Sequence, residues 1–293
     1  MSRAAVWKQI NSLRALGISI EARHARGYRL LETPDLLFSA DVLKGVNSRI
    51  IPRSLELLPA TDSTNLQLRK KAEAGAEEGT VLVADEQLAG KGRLGRPWTS
   101  PSGVNLYCSL LLRPQIPVQQ APQFTFLSAV AVVDTLKSLC TITAEVKWPN
   151  DILVGGAKIA GLLNEMSAET EQVNYIVLGI GVNLNMTAEQ FPDELNYPAT
   201  SALLETGRQV PRGHFLRELL QRLDFYYCEF LEQGFAPIRQ HWEQLCPIIN
   251  RRVQVNGELT GTVVGLEVDG ALRLQLDSGR FERVIAGDVR MVN

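Results

Sequence analysis

Residues 85–107 read DEQLAGKGRLGRPWTSPSGVNLY, and the run GKGRLGR at 90–96 inside them decides the fold class. Its three glycines let the backbone approach a ligand closely, and consecutive exposed N–H groups can form an anion-binding nest. Lys91, Arg93 and Arg96 add positive charge, and arginine forks suit carboxylate or phosphate groups. Such a run is either a solvated basic turn or part of an anion site, and its sequence context discriminates between the two.

The glycines of this run match the spacing G-x-G-x-x-G of dinucleotide-binding loops. That motif opens a helix and is followed by an acidic residue roughly 20 residues later. Here a loop rich in proline and serine follows, and residues 97–133 contain no Asp or Glu. A P-loop is also excluded, because no Lys-Ser or Lys-Thr pair ends the run. Since 79–85 and 105–112 both read as buried strands, the run is predicted to be a cationic flap between strands.

The segments after the flap combine one core helix with several strands. Residues 117–139 have a helical apolar pattern, and 175–178 read as a strand. Gly155-Gly156 is a two-residue hairpin signal between two further strands. The motifs KWPND at 147–151 and GIGVN at 179–183 follow the ends of strands. Polar and glycine-rich motifs so placed on a sheet indicate a ligand-binding domain.

Before the flap, residues 34–59 are predicted to be a connection with a short helix at 39–43. The polar cluster TDSTN at 61–65 directly precedes a helical run, as is typical of a helix N-terminus. Its side chains either cap the helix or offer donors and acceptors to a ligand.

The last part of the chain is predicted to contain two helices, at 212–232 and 236–245, after an irregular stretch at 187–201. From Arg251 onward, short strands alternate with Asn-Gly, Asp-Gly and Ser-Gly turns. This pattern predicts a small β-barrel of SH3-like type.

Composition limits the class of protein. The chain has 293 residues, is 45% hydrophobic, and balances 30 Lys and Arg against 32 Asp and Glu. That length suggests roughly two domains, and the charge balance argues against a surface devoted to nucleic acid. The 4 cysteines form no C-x-x-C motif, which favours free thiols over zinc or disulfides. Without a signal-peptide pattern or an apolar run approaching 18 residues, a cytoplasmic protein with no membrane contact is expected.

The first 30 residues are strongly basic, with six Lys or Arg and one Glu. Ser2 is a suitable N-cap for a helix that ends at Gly17, after which the pattern predicts a basic turn at His24–Gly27 between two short strands. A basic helix followed by a basic hairpin is the order of a recognition helix and wing in a winged helix-turn-helix. The segment is either a DNA-binding element or a basic remnant without a target.

Three blocks in this order, DEQLAGKGRLGRPWTSPSGVNLY, KWPNDILVGGAKIAGLL and GIGVNLN, resemble the catalytic domain of biotin protein ligases. The basic N-terminal segment is similar to part of the DNA-binding domain of the bifunctional ligases that also repress biotin operons. In that domain two further helices precede the recognition helix, so the segment is expected to be an incomplete winged helix. The resemblance implies an α+β chain with three parts: a partial winged helix at 1–33, a mixed-sheet ligase domain of class II synthetase-like type at 34–250, and an SH3-like domain at 251–293.

The family's activity implies an AMP-forming biotin–protein ligase. Biotin and ATP give biotinyl-5′-AMP, and a lysine of the biotin carboxyl carrier protein of acetyl-CoA carboxylase then accepts the biotin. Magnesium is expected to accompany ATP, held mainly by phosphates and water. Biotin-responsive transcriptional repression, a homodimer and DNA binding by a completed N-terminal module are further expectations from the resemblance.

The resemblance also assigns roles to residues at matching motif positions. Lys158 and Arg93 are the catalytic candidates, and no residue is assigned to a metal. Biotin binding is assigned to Ser63, Thr64, Asn65, Gln87, Lys91, Gly92, Arg93 and Lys158. Nucleotide binding is assigned to Arg96, Trp98, Asn150 and Asn183, and DNA binding to Arg3 and Lys8. Lys91 stands where the family commonly has arginine, so the charge is kept while the bidentate fork is lost.

Several alternatives stay open at this point. Trp98 is either an adenine contact or a core aromatic residue, and Asn183 either a ligand contact or a turn residue. Lys147 and Asp151 either carry chemistry or form a structural ion pair or strand-end cap. For the whole chain, the alternatives are a DNA-binding regulator without ligase activity and a relative that transfers lipoate or octanoyl groups.

Overall fold

The computed structural model describes residues 2–15, 18–23, 26–31, 35, 37–195 and 197–292. The chain divides into two compact units, Met1–Leu36 and Leu37–Asn293. Each unit is described by itself.

The smaller unit contains a helix, α1 (Arg3–Ala15), and an antiparallel pair, β1 (Ile20–Arg23) and β2 (Gly27–Leu30). The Ser2 hydroxyl accepts a hydrogen bond from the Ala5 amide at 3.2 Å, which confirms the predicted N-cap. Gly17 and His24, predicted at the helix end and in the basic turn, lie outside the described residues. Among those described, Ile18 is the only buried apolar residue of this unit, so it holds very little core of its own.

The larger unit contains all the remaining helices and strands described. In chain order they are α2 (Ser39–Leu43), β3 (Ser54–Thr61), α3 (Thr64–Glu73), β4 (Thr80–Gln87), β5 (Leu106–Leu112), α4 (Gln123–Cys140), β6 (Glu145–Lys147), β7 (Asp151–Val154), β8 (Ala157–Glu169), β9 (Gln172–Val182), α5 (Ala202–Thr206), α6 (Arg212–Gln233), α7 (Ala236–Leu245), β10 (Arg252–Val255), β11 (Leu259–Leu266), β12 (Leu272–Gln275), β13 (Phe281–Val284) and β14 (Val289–Met291).

Seven of these strands form one mixed sheet in the order β3-β4-β5-β9-β8-β7-β6. β3 and β4 are parallel, and the other neighbours are antiparallel. The Gly155-Gly156 turn between β7 and β8 has positive φ at both residues, which confirms the predicted hairpin.

Strand β5, the third of the seven, is buried along its whole length. Alternate residues point to opposite faces. Cys108 and Leu110 join the main core, which also contains residues of α4 and α6. Leu111 packs instead with α3, in a smaller cluster around Leu68. β5 and β9 therefore supply a second face, on the α3 side, where side chains can line a site.

Helix α4 forms the centre of the main core. The segment Val118–Cys140 is, among the described residues, the one helix long and apolar enough to cross a membrane, with a mean hydropathy of 1.2. However, 72% of that window is buried inside the protein, as in the core helix of a folded domain. Its apolar composition is therefore explained by burial in the core.

The C-terminal strands form a separate five-stranded antiparallel sheet in the order β13-β12-β11-β10-β14. Val253, Val263 and Leu274 are buried on one face of this small sheet. The predicted strand-and-turn pattern of this segment is confirmed.

Two predictions about local structure were wrong, and one short helix was not predicted. The last residues of the predicted connection at 34–59 form β3, which the alternating sequence SLELLPAT encodes weakly because it contains proline. β9 continues through Gly179 and Gly181, which were placed after the end of a strand. A short helix, α5, directly follows the stretch predicted to be irregular, and it begins with a side-chain cap from Ser201.

Candidate active site

One cavity of about 620 Å³ opens on the α3 side of the seven-stranded sheet, between the flap and the C-terminal sheet. Its walls include every residue to which ligase chemistry was assigned from the sequence: Ser63, Thr64, Asn65, Gln87, Lys91, Gly92, Arg93, Arg96, Trp98, Asn150, Lys158 and Asn183. These residues come from six separate parts of the chain, so the fold brings together motifs that the sequence only placed in order. Arg3 and Lys8 lie elsewhere, on the exposed surface of α1.

One end of the cavity is lined by uncharged hydrogen-bonding groups at the start of α3. Ser63 is the N-cap residue, and its side chain makes no capping hydrogen bond, so capping does not account for this polar cluster. The Gln87 carbonyl oxygen accepts hydrogen bonds from the Thr64 amide at 2.9 Å and is 3.1 Å from the Thr64 hydroxyl. The Gln87 amide nitrogen donates to Ser100 at 3.0 Å. These contacts fix the Gln87 side chain across the floor of the cavity.

Ser109, on β5, holds this polar end from below. Its hydroxyl is fully buried and lies 2.6 Å from Asn65 Oδ1 and 2.8 Å from the Thr64 hydroxyl. The Asn65 amide nitrogen donates to the Leu163 carbonyl at 3.2 Å and to Glu165 at 2.8 Å. Asn65 therefore uses both ends of its amide on protein partners, which orients it firmly beside Thr64.

The flap between β4 and β5 forms the lid of the cavity. A bridge between Lys91 and Pro97 and a 2.8 Å hydrogen bond from the Gly92 amide to the Arg96 carbonyl close it into a tight loop. Leu94 at its tip has φ of +57° and is 87% exposed. The prediction of a cationic flap between strands is confirmed.

Gly90 explains how the flap leaves the sheet. A Cβ at this position would lie 2.5 Å from the Trp98 carbonyl oxygen and 2.8 Å from the Ser100 hydroxyl. The Trp98 amide donates to the Gly90 carbonyl at 2.9 Å, so the two ends of the loop meet directly. Only glycine allows this approach without a shift of the backbone.

Trp98 lies over two glycines of the sheet. A Cβ at Gly181 would be 2.7 Å from the indole Nε1, and one at Gly161 would be 3.1 Å from the ring. The indole N–H is buried and makes no hydrogen bond within the described part of the chain. Trp98 thus packs against the glycine-lined surface inside the cavity and is not part of the main apolar core.

The charged groups cluster near the β7–β8 hairpin. Lys158 Nζ lies 2.7 Å from Asp151 Oδ1 and 5.2 Å from the centre of the Trp98 ring. Asp151 and Lys158 therefore form an ion pair between the two strands of the hairpin, although their register partners are Gly161 and Leu153. The Arg93 guanidinium donates to Asn150 Oδ1 at 3.3 Å, connecting the lid to the KWPND turn. Burial, with the nearby charge of Arg96, lowers the pKa of Arg93 below its ordinary value.

The two asparagines assigned to the nucleotide have protein partners. Asn150 Nδ2 donates to the Leu162 carbonyl at 2.8 Å. Asn183 is buried, donates to the Thr200 carbonyl at 3.1 Å and accepts from Asn105 at 3.2 Å. Both therefore also support the local backbone of the cavity wall.

Sequence reasoning missed several groups of this cavity. Gly161 and Tyr197 lie within segments that read as a hairpin arm and an irregular loop. Ser109, which is buried behind Thr64 and Asn65, lies in a segment that reads as an ordinary strand. Asn256 and Asp288 come from the C-terminal sheet, in which no residue had obvious chemistry. Their only sequence signal was weak: Asn256 stands in an Asn-Gly turn.

No group of three or more His, Cys, Asp or Glu that could hold a metal ion occurs among the residues described. Two carboxylates of the cavity wall have protein partners, Lys158 for Asp151 and Tyr197 for Asp288. Within the described part of the chain, the site therefore offers no cluster of three or more such ligands for a metal ion.

Family models and related proteins match the N-terminal, central and C-terminal parts of this chain. Residues 57–183 match the "Biotin/lipoate A/B protein ligase family", residues 248–292 the "Biotin protein ligase C terminal domain", and residues 1–29 an "HTH domain". The bifunctional ligase/repressor BirA of Bacillus spizizenii is 36% identical over 99% of this chain and 90% of its own length. The biotin–[acetyl-CoA-carboxylase] ligase of Paracoccus denitrificans is 37% identical over 76% of this chain and 95% of its own.

The structural comparison agrees. The biotin protein ligase of Aquifex aeolicus in complex with biotin and ATP has a TM-score of 0.69 and 30% identity, covering 82% of this chain and 99% of that one. The expected α+β fold is confirmed, with a mixed-sheet ligase core, a C-terminal antiparallel sheet and an N-terminal helix-turn-helix segment. The chain belongs to the biotin protein ligase family.

Proposed function

We propose that this protein is an ATP-dependent biotin–protein ligase that forms biotinyl-5′-AMP and transfers biotin to a lysine of a biotin carboxyl carrier protein. The observation that carries the proposal is a single cavity with a neutral hydrogen-bonding end, a cluster of cations and a glycine-rich lid. Names of similar proteins support it: the Bacillus protein is a ligase and repressor, and the Paracoccus protein is a biotin–[acetyl-CoA-carboxylase] ligase.

The neutral end suits the ureido ring of biotin, which is polar and uncharged. Ser63, Thr64 and Gln87 present hydroxyl and amide groups there, and Asn65 fixes the orientation of its neighbours. A preorganised set of donors and acceptors binds such a ring without losing much side-chain entropy. Lys91 and Gly92 of the lid then cover the ligand.

The first step joins two anions, so it needs positive charge where negative charge accumulates. A carboxylate oxygen of biotin attacks the α-phosphorus of ATP, and the bond to the pyrophosphate oxygen breaks. Lys158 is proposed to stand at the carboxylate and α-phosphate, with Arg93 closing from the lid. Asp151 holds the Lys158 ammonium at 2.7 Å and so fixes its position before the ligand arrives.

In the second step, the carrier lysine attacks the acyl carbon of the adenylate, and AMP leaves with the bonding electron pair. The adenylate hydrolyses if it is exposed, so a closed lid protects it until the carrier arrives. Arg96, Trp98, Asn150 and Asn183 are proposed as nucleotide contacts, with Trp98 beside the adenine. Magnesium that enters with ATP is proposed to be held by phosphates and water, because the described residues contain no group of three or more His, Cys, Asp or Glu that could hold it.

The proposal is tested by incubating the full chain with labelled biotin, ATP and a carrier domain. We expect label on the carrier only when ATP is present, with no competition from excess lipoate and no labelling of a carrier whose acceptor lysine is replaced by arginine. Labelling that lipoate abolishes would favour a lipoate or octanoyl transferase. Absence of ATP-dependent transfer, with the protein folded, would contradict the ligase proposal.

Biotin-responsive repression is proposed as a second function, because residues 1–29 match an HTH domain and α1 exposes Arg3 and Lys8. The parts at 1–33, 34–250 and 251–293 are proposed as the DNA-binding, catalytic and C-terminal domains of a cytoplasmic protein that can form a homodimer. A gel shift on biotin-operator DNA, with and without biotin and ATP, tests this. Retardation that increases with both ligands is expected, and its absence at low salt would contradict it.

A further inference from the structure

The cavity has a direction that can be read along β9. Gly179 lies beside Asn65, at the neutral end, and Gly181 lies beside Trp98. The Asn183 amide then donates to the Ile159 carbonyl, next to Lys158. Since residues two apart share one face of a strand, this path covers about 13 Å from the neutral end to the cationic end.

Tyr197 stands immediately beyond that cationic end. The Lys158 amide donates to the Pro198 carbonyl at 2.8 Å, and the Thr200 amide donates back to the Lys158 carbonyl at 3.0 Å. These bonds attach the loop around Tyr197 to the first residues of β8. Tyr197 thus lies at the far end of the cavity from Asn65.

The Tyr197 ring holds a cation. Lys147 Nζ lies 3.9 Å from the centre of the ring, well within the range of a cation–π contact. Lys147 lines the cavity and, within the described residues, makes no salt bridge, although the Asp288 carboxylate is near enough to attract its charge. This also answers the alternative of a structural ion pair, because the partner of Asp151 is Lys158.

The C-terminal sheet fixes the ring from its other side. The Tyr197 hydroxyl donates to Asp288 Oδ1 at 2.9 Å. The Asp288 amide donates to Asn256 Oδ1 at 2.8 Å, and the Asn256 amide donates to the Asp288 carbonyl at 2.9 Å. These two bonds fix the backbone of Asp288 and so hold its carboxylate in place. Burial and the adjacent Asp288 raise the pKa of the Tyr197 hydroxyl, so it keeps its proton and remains a donor.

We propose that Tyr197 is a positioning residue: tied to Asp288 of the C-terminal sheet, it holds the Lys147 ammonium at the outer end of the cavity to bind the terminal phosphates of the nucleotide. This inference rests on the proposed function. With the biotin ring placed at the opposite end, the phosphates of the nucleotide are the anionic groups expected nearest Lys147. Because the contact between Lys147 and the terminal phosphates is the same in the ground state and the transition state, its loss changes nucleotide affinity more than turnover.

The test uses biotin-dependent ATP–pyrophosphate exchange with the full chain and compares Tyr197→Leu, Tyr197→Phe, Lys147→Met and the double variant. A cation–π contact corresponds to a factor of about 2 to 30 in affinity. We expect Tyr197→Leu to raise the KM for ATP roughly tenfold, with kcat and the KM for biotin nearly unchanged. Tyr197→Phe retains the ring and should raise the KM for ATP by a factor of about 3, matched by Asp288→Asn.

The decisive comparison is the double variant. In the Lys147→Met background, Tyr197→Leu should cause no further increase in the KM for ATP, since the cation that it positions is gone. An undiminished effect in that background, or an equal loss of biotin affinity, would overturn the inference and indicate a merely structural role. Phe225→Leu, at a 61% exposed aromatic outside the cavity, is the matched control.

Measurements on the wild-type chain distinguish failure of the proposed function from failure of the proposed role of Tyr197. If the wild type supports no exchange, the proposed function fails; if it is active and Tyr197→Leu matches it, only the role of Tyr197 fails. If Tyr197→Leu does not fold, Tyr197→Phe and Asp288→Asn provide the test, because both variants retain the aromatic ring. Wild-type KM values for ATP in both variants would contradict the proposal that the hydrogen bond to Asp288 of the C-terminal sheet positions Tyr197.

Discussion

The two ends of the cavity are built differently. At the neutral end, Thr64 and Asn65 are each 4% exposed, Ser109 is fully buried, and their polar atoms bond to one another. The lid, by contrast, is held by a few hydrogen bonds around an exposed tip at Leu94. One end is complete before any ligand arrives, and the other depends on its ligand for most of its contacts.

This difference assigns a separate task to each end. A preformed polar pocket selects a ligand, since a molecule that lacks the matching groups leaves buried donors and acceptors unpaired. A lid that carries cations can cover the product after the reaction. We therefore propose that the neutral end selects biotin, and that the lid and Lys158 serve chemistry and retention.

The largest expected effect comes from Lys158. We expect Lys158→Ala to lower the rate of adenylate formation by a factor on the order of 10²–10³, because one preorganised cation is lost from the transition state. Pyrophosphate release measures this, with Lys137→Ala, an exposed lysine of α4, as the control. Wild-type pyrophosphate release from Lys158→Ala would contradict the catalytic assignment.

The glycine surface under Trp98 is the next target. In Gly181→Ala, the new Cβ would lie 2.7 Å from the indole nitrogen, so Trp98 must move away from the sheet. Overpacking of this kind costs about 1–3 kcal/mol, and we expect ATP affinity to fall roughly 10- to 100-fold. Gly213→Ala, with a nearest atom at 3.9 Å, is the control for calorimetric titration. Unchanged ATP affinity would mean that Trp98 does not contact the nucleotide.

A smaller effect is expected at the neutral end. Ser109→Ala removes the hydroxyl that orients Asn65 and Thr64, and one hydrogen bond contributes about 0.5–1.5 kcal/mol net. Biotin affinity should fall roughly fivefold, with ATP affinity retained. Ser128→Ala removes another buried hydroxyl, bonded to the Thr125 carbonyl, and should lower stability without changing biotin binding. Equal biotin affinities in the two variants would contradict preorganisation of the neutral end of the cavity.

The parts of the site that the sequence predicted are those with strong local signals. The flap could be placed because three glycines and three cations within seven residues prevent a regular strand or helix between two apolar runs. The Gly155-Gly156 hairpin was found for a similar reason, since its φ values require glycine. The polar cluster at 61–65 was recognisable because it directly precedes a helix.

The remaining features depend on contacts between distant parts of the chain. Glycine normally indicates a turn, yet Gly179 and Gly181 lie inside β9 because Asn65 and Trp98 occupy the space above them. Tyr197 and Asp288 are 91 positions apart and meet only through the fold. β3 was missed because its burial comes from pairing with β4 and its own pattern is weak.

The most direct test of the separate roles proposed for the neutral end and the lid is the release of biotinyl-5′-AMP from Arg93→Gly. The variant loses the guanidinium that connects the lid to Asn150, while the residues of the neutral end are unchanged. We expect adenylate synthesis to continue and its release to accelerate roughly tenfold or more, with biotin appearing on bystander lysines. Arg93→Gly that makes adenylate but releases it at the wild-type rate, without nonspecific labelling, would contradict the account.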